Sequence, residues 1–150
     1  MRRRNVQFWC AALMLLLCVL PRVSRAQEVE PRVRKGIWMS KNELLALPMS
    51  GAAWERVKAV ADQPAGPPDL ANQNDSVNVK VMAKALVYAR TGVKSYRKEV
   101  IAACMAAMGT EQGGRTLALG RELVAYVIAA DLVGLPAQEK RVYRKWLRGC

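Results

Sequence analysis

Apolar residues recur at helical spacing along most of the chain, and polar or glycine-containing stretches separate the apolar segments. Across residues 79–87, 96–108 and 117–132 the apolar positions fall three or four residues apart, which indicates helices rather than strands. The last of these segments is apolar around most of its circumference, so the pattern predicts a helix buried on several sides. Gly92 and Gly109 follow the first two segments, and glycine commonly ends a helix.

Three further helices are predicted around these segments. Ser40 and Glu43 have the spacing of a capping box, and Pro48 stops the short helix that follows. Ser50 is the expected N-cap of the next helix, and Pro136 opens the last one. No segment alternates between apolar and polar residues as a strand does, so the predicted fold class is all-α, built from antiparallel helical hairpins. The first predicted helix runs from the Ser40 cap to Pro48, and the third runs from a cap at Asp75 or Ser76 to Thr91. The others cover about residues 51–62, 95–108, 115–133 and 136–148.

The first 26 residues have the organisation of a secretory signal peptide. Three arginines at positions 2–4 precede an apolar run over residues 8–20, and small residues at Ser24 and Ala26 place the cleavage before Gln27. The alternative is a membrane anchor, but the run is shorter than the roughly 20 residues that a spanning helix needs. We therefore expect a signal peptide over residues 1–26, a helical domain over residues 27–150, a periplasmic or secreted location, and no stable membrane insertion after cleavage.

The chain is strongly basic, with 24 lysines and arginines against 12 acidic residues and a net charge of +12. Five arginines leave with the signal peptide, so 19 basic and 12 acidic residues remain and the net charge of residues 27–150 is +7. A cationic exported protein suits an anionic partner, such as an acidic polysaccharide or a membrane surface. Nucleic acid is not an expected partner of an exported protein, and solubility alone is the alternative explanation of the charge.

Candidate chemistry is restricted by what the chain lacks. It has no histidine, the commonest metal ligand and general base, and the spacing of its cysteines fits no zinc site. We expect neither a metal nor a cofactor. Cys104 lies in an apolar pattern and is expected in the core, and one disulfide between Cys104 and Cys150 is conceivable in an oxidising compartment.

Several motifs together resemble the alginate lyase family of polysaccharide lyases. They are Gly-Ile-Trp at 36–38 with Ser40, Leu-Pro-Met-Ser-Gly at 47–51 before Ala53-Trp54, the segment 85–92 (ALVYARTG), the segment 114–121 (GRTLALGR) and the segment 126–131 (YVIAAD). The last two segments are the most specific. The resemblance covers nearly all of residues 27–150, but only the N-terminal part of such a domain, so we expect a truncated domain.

The resemblance implies an incomplete (α/α) toroid and cleavage of uronic-acid polysaccharides by β-elimination. In that reaction a polar group neutralises the uronate carboxylate, a base removes the C5 proton, and a tyrosine protonates the leaving oxygen. This chain has no histidine to serve as the base, and the family's catalytic residues lie beyond the matched region. The catalytic residues are therefore left unassigned. The alternative function is a non-catalytic helical module that binds acidic polysaccharide or a protein partner.

Six residues are the candidates for binding substrate. Arg115 and Arg121 suit a uronate because guanidinium binds carboxylate in a bidentate manner, and the alternative for each is a structural salt bridge to Glu111, Glu122 or Asp131. Three further candidates are amide side chains near a predicted helix start, and the alternative is that they serve the loop and the helix cap. The last candidate is a tyrosine in an apolar helix, and the alternative is that it belongs to the core. They are Asn72, Gln73, Asn74 and Tyr126.

A truncated toroid also lacks the neighbouring helices that would cover its flank. We therefore expect an exposed apolar patch on the fifth and sixth helices, or self-association through it. A third alternative is a membrane-surface protein, which predicts an exposed amphipathic helix over residues 137–148.

Overall fold

The computed structural model describes residues 36–150, and this part of the chain contains six helices and no strand. The all-α class is confirmed. The predicted signal peptide and the first residues of the predicted helical domain lie outside the described residues. The helices are α1 (Lys41–Ala46), α2 (Ala52–Ala61), α3 (Val77–Thr91), α4 (Lys94–Ala107), α5 (Thr116–Val133) and α6 (Ala137–Leu147).

Local sequence signals account for several helix ends. The Ser40 hydroxyl accepts a hydrogen bond from the Glu43 amide, and the Glu43 carboxylate accepts one from the Ser40 amide, which confirms the capping box of α1. Gly92 ends α3 in the left-handed conformation, at φ 73°, as expected. The predicted Ser50 cap of α2 is wrong, because the N-cap position belongs to Gly51, at φ 87°, and no side chain caps this helix.

The central helix is α3, which packs against α2, α4 and α5. Arg121, near the start of α5, donates a hydrogen bond to the Gln73 carbonyl just before α3, while Tyr88 and Val133, near the ends of these helices, line one cavity. Helices α3 and α5 therefore run in the same direction. The short connections at either end of α4 then require α4 to run in the opposite direction between them.

The main core lies among α3, α4, α5 and α6, and a smaller core lies between α2 and α3. Burying an aliphatic or aromatic side chain contributes about 1.5–3 kcal/mol, so these contacts hold the helices together. The fully buried members of the main core are Leu70, Val81, Ala85, Val100, Cys104, Ala107, Tyr126 and Ala129. Those of the smaller core are Ala61 and Val87, with the buried Ala83 beside them.

Helices α5 and α6 carry exposed apolar side chains, as do the segment 37–49 and α3, so α5 is less buried than its apolar pattern predicted. Leu117 is 84% exposed, Val124 is 56% exposed and Val142 is 49% exposed. Leu117 and Val124 are seven residues apart and so lie on the same face of α5. An apolar groove of 360 Å³ also runs over α3, lined by Val57, Val60, Val79, Met82, Leu86 and Ala125 among others. Self-association through these surfaces stays a prediction.

A buried lysine joins three helices. Lys84 of α3 is 2% exposed, and its ammonium donates to the Ala61 carbonyl at 2.6 Å and pairs with the Glu99 carboxylate at 2.8 Å. The same ammonium lies 5.7 Å from the centre of the Tyr96 ring, and the Tyr96 hydroxyl donates to Asp62. Lys84 therefore connects the carboxyl end of α2 to α4 through hydrogen bonds and charge.

Candidate functional site

The loop before α3 is held in one conformation by hydrogen bonds from its own side chains. The Asp75 carboxylate accepts from the Asp69 and Val77 amides, both at 3.0 Å, so it closes the loop and also caps the first turn of α3. Leu70, buried in the main core, donates its amide to the Thr110 hydroxyl at 3.1 Å. The loop is thereby fixed both to α3 and to the connection after α4.

The amide residues of this loop are exposed at its tip. Asn72 accepts a hydrogen bond from the Asn74 amide at 3.0 Å through its side-chain oxygen, so part of its polar capacity serves the loop itself. The side chains of Gln73 and Asn74 make no hydrogen bond with other residues of the 36–150 region. Two of the three predicted amides are therefore open to a ligand, and the third has a structural role as well.

The structure brings Arg121 to the tip of this loop. Its guanidinium donates one hydrogen bond to the Gln73 carbonyl and a second, at 3.2 Å, to the Glu122 carboxylate. The Arg121 side chain is still 61% exposed. The salt bridge to Glu122 that was the structural alternative for Arg121 is therefore present, and it occupies one part of a guanidinium that remains open to solvent.

The carboxylate of Glu122 is the unusual feature of this surface. Its side chain is 3% exposed, and its Oε1 atom receives the bond from Arg121. Its Oε2 atom is buried and has no hydrogen-bond partner among the described residues. A buried carboxylate is strongly disfavoured unless it is paired, and Arg121 is the partner that Glu122 has among the described residues.

Tyr126 lies in the core and not on the surface. It is fully buried, and its hydroxyl has no hydrogen-bond partner within residues 36–150. Burial raises the pKa of Tyr126 above its usual value, and the nearby Asp75, Cys104 and Glu122 raise this pKa further. The hydroxyl is therefore protonated at neutral pH and out of reach of a ligand, so the core alternative fits Tyr126.

Arg115 lies at the same edge of the molecule as the loop. It is the N-cap residue of α5, it is exposed, and its guanidinium makes no hydrogen bond or ion pair with any described residue. The preceding Gly114 packs so closely on Ala71 that an added Cβ would lie 3.1 Å from the Ala71 Cα. This contact places the backbone of Arg115 beside the loop tip. We call the surface formed by Asn72, Gln73, Asn74, Arg115 and Arg121 the arginine–amide corner.

A second cationic surface was missed by the sequence reasoning. A cavity of 460 Å³ is lined by Lys94, Arg97 and Lys98 of α4, together with Tyr88, Ile101 and Val133. We call it the α4 pocket. The three basic residues have the spacing i, i+3 and i+4, which places them on one face of a helix, so the sequence contained a signal for it.

Arg97 fixes the wall of the α4 pocket. Its guanidinium donates to the carbonyl oxygens of Val133 and Gly134, at 3.0 and 2.7 Å, where α5 ends. Carbonyls at a helix carboxyl end lack partners within the helix and carry partial negative charge, so a cation is stabilising there. Lys94 and Lys98 make no such contact with other described residues, and their ammonium groups remain available.

The remaining chemistry of the described region is limited. Cys104 and Cys150 are free thiols, so the conceivable disulfide is not present, and burial raises the pKa of the Cys104 thiol to about 12. Within residues 36–150, no group of three or more acidic or sulfur ligands is placed to hold a metal ion. In the same region no helix has the length and apolar character to cross a membrane.

Both surfaces expose basic side chains: Arg115 and Arg121 at the arginine–amide corner, and Lys94 and Lys98 at the α4 pocket. Comparison with known proteins adds no assignment: no family model, no curated protein and no solved structure matches this chain.

Proposed function

We propose that this chain is an exported, alginate-lyase-like helical domain that binds uronic-acid polysaccharide at the arginine–amide corner. The observation that carries the proposal is the placement of Arg121, whose largely exposed guanidinium is fixed beside the exposed amides at the loop tip. Arg115 adds a second guanidinium at this edge. A uronate unit offers a carboxylate for the guanidinium groups and hydroxyls for the amides.

Hydrogen-bonding capacity at Arg121 supports binding of a carboxylate. A guanidinium has five N–H groups, and Arg121 uses two of them on Gln73 and Glu122. The remaining donors are sufficient for a bidentate contact with a carboxylate. Because both internal contacts fix the side chain before a ligand arrives, less conformational entropy is lost on binding than for a free arginine.

Helix directions support the proposed toroid. In an (α/α) toroid, successive hairpins place alternate helices in one layer, and the helices of a layer run in the same direction. The parallel packing of α3 and α5, with α4 running back between them, has this relation. The exposed apolar residues Leu117 and Val124 of α5 are consistent with a flank that further hairpins would cover.

For the described region we propose binding without cleavage. β-Elimination needs a base within reach of the C5 proton, and the chain has no histidine. Tyr126, the candidate tyrosine, is fully buried, so its hydroxyl does not contact a ligand at the surface. Cleavage by β-elimination is therefore the activity of the family that this chain resembles. For this chain we propose only the binding of acidic sugars.

Isothermal titration calorimetry of the purified full chain with alginate oligosaccharides tests the proposal. The informative variants are Arg115→Ala and the double variant Arg121→Ala with Glu122→Gln, which leaves the net charge unchanged and avoids stranding the buried carboxylate. We expect each to weaken binding about tenfold, equivalent to about 1.4 kcal/mol. Absorbance of unsaturated uronate in the same mixtures is expected to stay constant.

Arg141→Ala is the matched control, since Arg141 is an exposed arginine of α6 and its loss lowers the net charge as much as the loss of Arg115. Equal weakening by Arg141→Ala and Arg115→Ala would show that the charge of the whole protein drives binding, and would reject the corner. A rise in absorbance would reject binding without cleavage.

A further inference from the structure

The α4 pocket lies at the opposite end of the helices from the arginine–amide corner. The corner is formed where α3 and α5 begin, and the α4 pocket is lined by Tyr88 and Val133, near where these helices end. With a rise of about 1.5 Å per residue, the eleven residues from Val77 to Tyr88 separate the two ends by roughly 16 Å. The α4 pocket is therefore separate from the arginine–amide corner.

Positive charge in the α4 pocket is not balanced by neighbouring acidic groups. No acidic residue lies in the first turn of α4 and none lines the pocket. Glu99, the acidic residue that follows Lys98, is paired with the buried Lys84. Lys94 also lies at the amino end of α4, where the helix dipole already favours a negative group and disfavours a cation.

The pocket combines this charge with an apolar wall. Tyr88, Ile101 and Val133 come from three different helices and face the same space as the basic side chains. Its volume of 460 Å³ lies within the range of about 300–1,000 Å³ that is typical of small-molecule sites. Cations beside an aromatic and aliphatic wall suit a ligand with one anionic group and one apolar face.

We propose that the α4 pocket is a second binding site, for the carboxylate of an acidic sugar. Lys94 and Lys98 bind the carboxylate, and the sugar ring lies against Tyr88, Ile101 and Val133. Arg97 is a positioning residue, because its guanidinium holds the end of α5 in place as the wall of the site. The choice of a sugar acid as the ligand rests on the proposed function, whereas the anion site itself rests on the pocket alone.

Two-dimensional ¹⁵N–¹H NMR of the full chain tests this site and the corner separately. The probes are an alginate trisaccharide, the same trisaccharide with its carboxyl groups reduced to alcohols, and inorganic phosphate. With the acidic trisaccharide we expect shifts of the amide signals of Tyr88 and of residues 94–98. The neutral trisaccharide is expected to leave these signals unchanged at the same concentration.

The double variant Lys94→Ala with Lys98→Ala is expected to weaken binding at the pocket at least about tenfold, while the corner signals of Gln73 and Arg121 respond as in the unaltered chain. The matched control is Lys145→Ala with Arg148→Ala, which removes two exposed basic residues at the end of α6. It is expected to leave the affinity of the α4 pocket for the acidic trisaccharide unchanged. Since all four side chains are exposed, neither variant is expected to disturb folding.

Several results would overturn the proposal. Shifts confined to the corner would reject the pocket and leave the proposed function standing. Equal responses to the acidic and neutral trisaccharides would reject the carboxylate contact. A response to phosphate without one to the acidic trisaccharide would reject the sugar as ligand. Shifts confined to the pocket would support this inference and reject the corner.

Discussion

Lys84 and Glu122 are both buried charged side chains, but their surroundings differ. Lys84 is 2% exposed, and its ammonium has a carboxylate, a backbone carbonyl and an aromatic ring around it. Glu122 is equally buried, yet only one of its two oxygens has a partner, and that partner is the exposed Arg121. The Lys84 ammonium thus has several partners within the protein, whereas the Glu122 carboxylate has a single partner among the described residues, and that partner lies at the surface.

The difference indicates two roles for similar pairs. In the Lys84 pair the cation is buried and Glu99 is half-exposed, so the pair joins α3 to α4. The buried ammonium has few hydrogen-bond donors left for a ligand. In the Arg121 pair the cation is the exposed member, so the buried carboxylate holds a guanidinium at the surface. The Lys84 network stabilises the fold, whereas Glu122 orients a group that can contact a ligand.

The largest effect is expected from Arg121→Ala, because it leaves Glu122 buried without a partner. We expect the free energy of unfolding to fall by about 3 kcal/mol, measured by urea denaturation, because water can reach the place of the exposed Arg121 side chain but Glu122 has no second partner among the described residues. The double variant with Glu122→Gln is expected to recover most of this loss. An unchanged unfolding midpoint for Arg121→Ala would contradict the dependence of Glu122 on Arg121.

A smaller loss is expected from Glu99→Ala. Lys84 keeps its bond to the Ala61 carbonyl, and water can reach the place of the half-exposed carboxylate, so we expect a loss of about 2 kcal/mol. Lys84→Met removes the buried charge together with its need for a partner and should be less harmful. The control is Lys58→Ala, which removes an exposed pair and should change stability by less than about 1 kcal/mol.

If Lys84→Met proves more destabilising than Glu99→Ala, the ammonium contributes mainly through packing and the Ala61 bond. The comparison with Glu122 would then no longer hold.

Tyrosine hydroxyls give a third, weaker test. Tyr96→Phe removes the hydrogen bond to Asp62 and is expected to lower stability by about 1 kcal/mol. Tyr126→Phe removes a buried hydroxyl without a partner among residues 36–150, so we expect stability to be unchanged or slightly higher. Thermal denaturation of both variants measures the contrast. A larger loss of stability for Tyr126→Phe than for Tyr96→Phe would contradict this prediction.

The smallest effect is expected from Glu111 and depends on pH. Burial acts to raise the pKa of Glu111, but hydrogen bonds from the Trp146 indole and the Gly109 amide outweigh it and hold this pKa below its usual value. A carboxyl group whose pKa is lower in the folded state stabilises the fold above its unfolded pKa of about 4.3. That contribution is lost as the pH falls through the lowered pKa.

We therefore expect Glu111→Gln to be less stable than the unaltered chain at pH 7, with the difference shrinking as the pH falls below about 4. Urea denaturation at a series of pH values measures it. A difference that does not change with pH would show that Glu111 acts through its shape and not its charge.

Sequence reasoning was accurate where a feature depends on neighbouring residues. The Ser40–Glu43 capping box and the Gly92 helix end are local hydrogen-bond and backbone arrangements, and both were predicted. The Ser50 cap failed because a serine before a helix need not occupy the N-cap position when Gly51 can adopt a positive φ there. The spacing of Lys94, Arg97 and Lys98 was visible in the sequence, but the wall that makes it a pocket was not.

The sequence by itself determined the helices, several of their ends and the excess of positive charge, because these follow from the 3.6-residue period, from contacts within one turn and from composition. Tertiary structure decided which charges are buried and what surrounds them. Residues far apart in the chain meet only when helices pack, as Arg121 meets Gln73 and as Arg97 meets Val133. That packing makes Lys84 a structural link and leaves Arg121 facing the solvent.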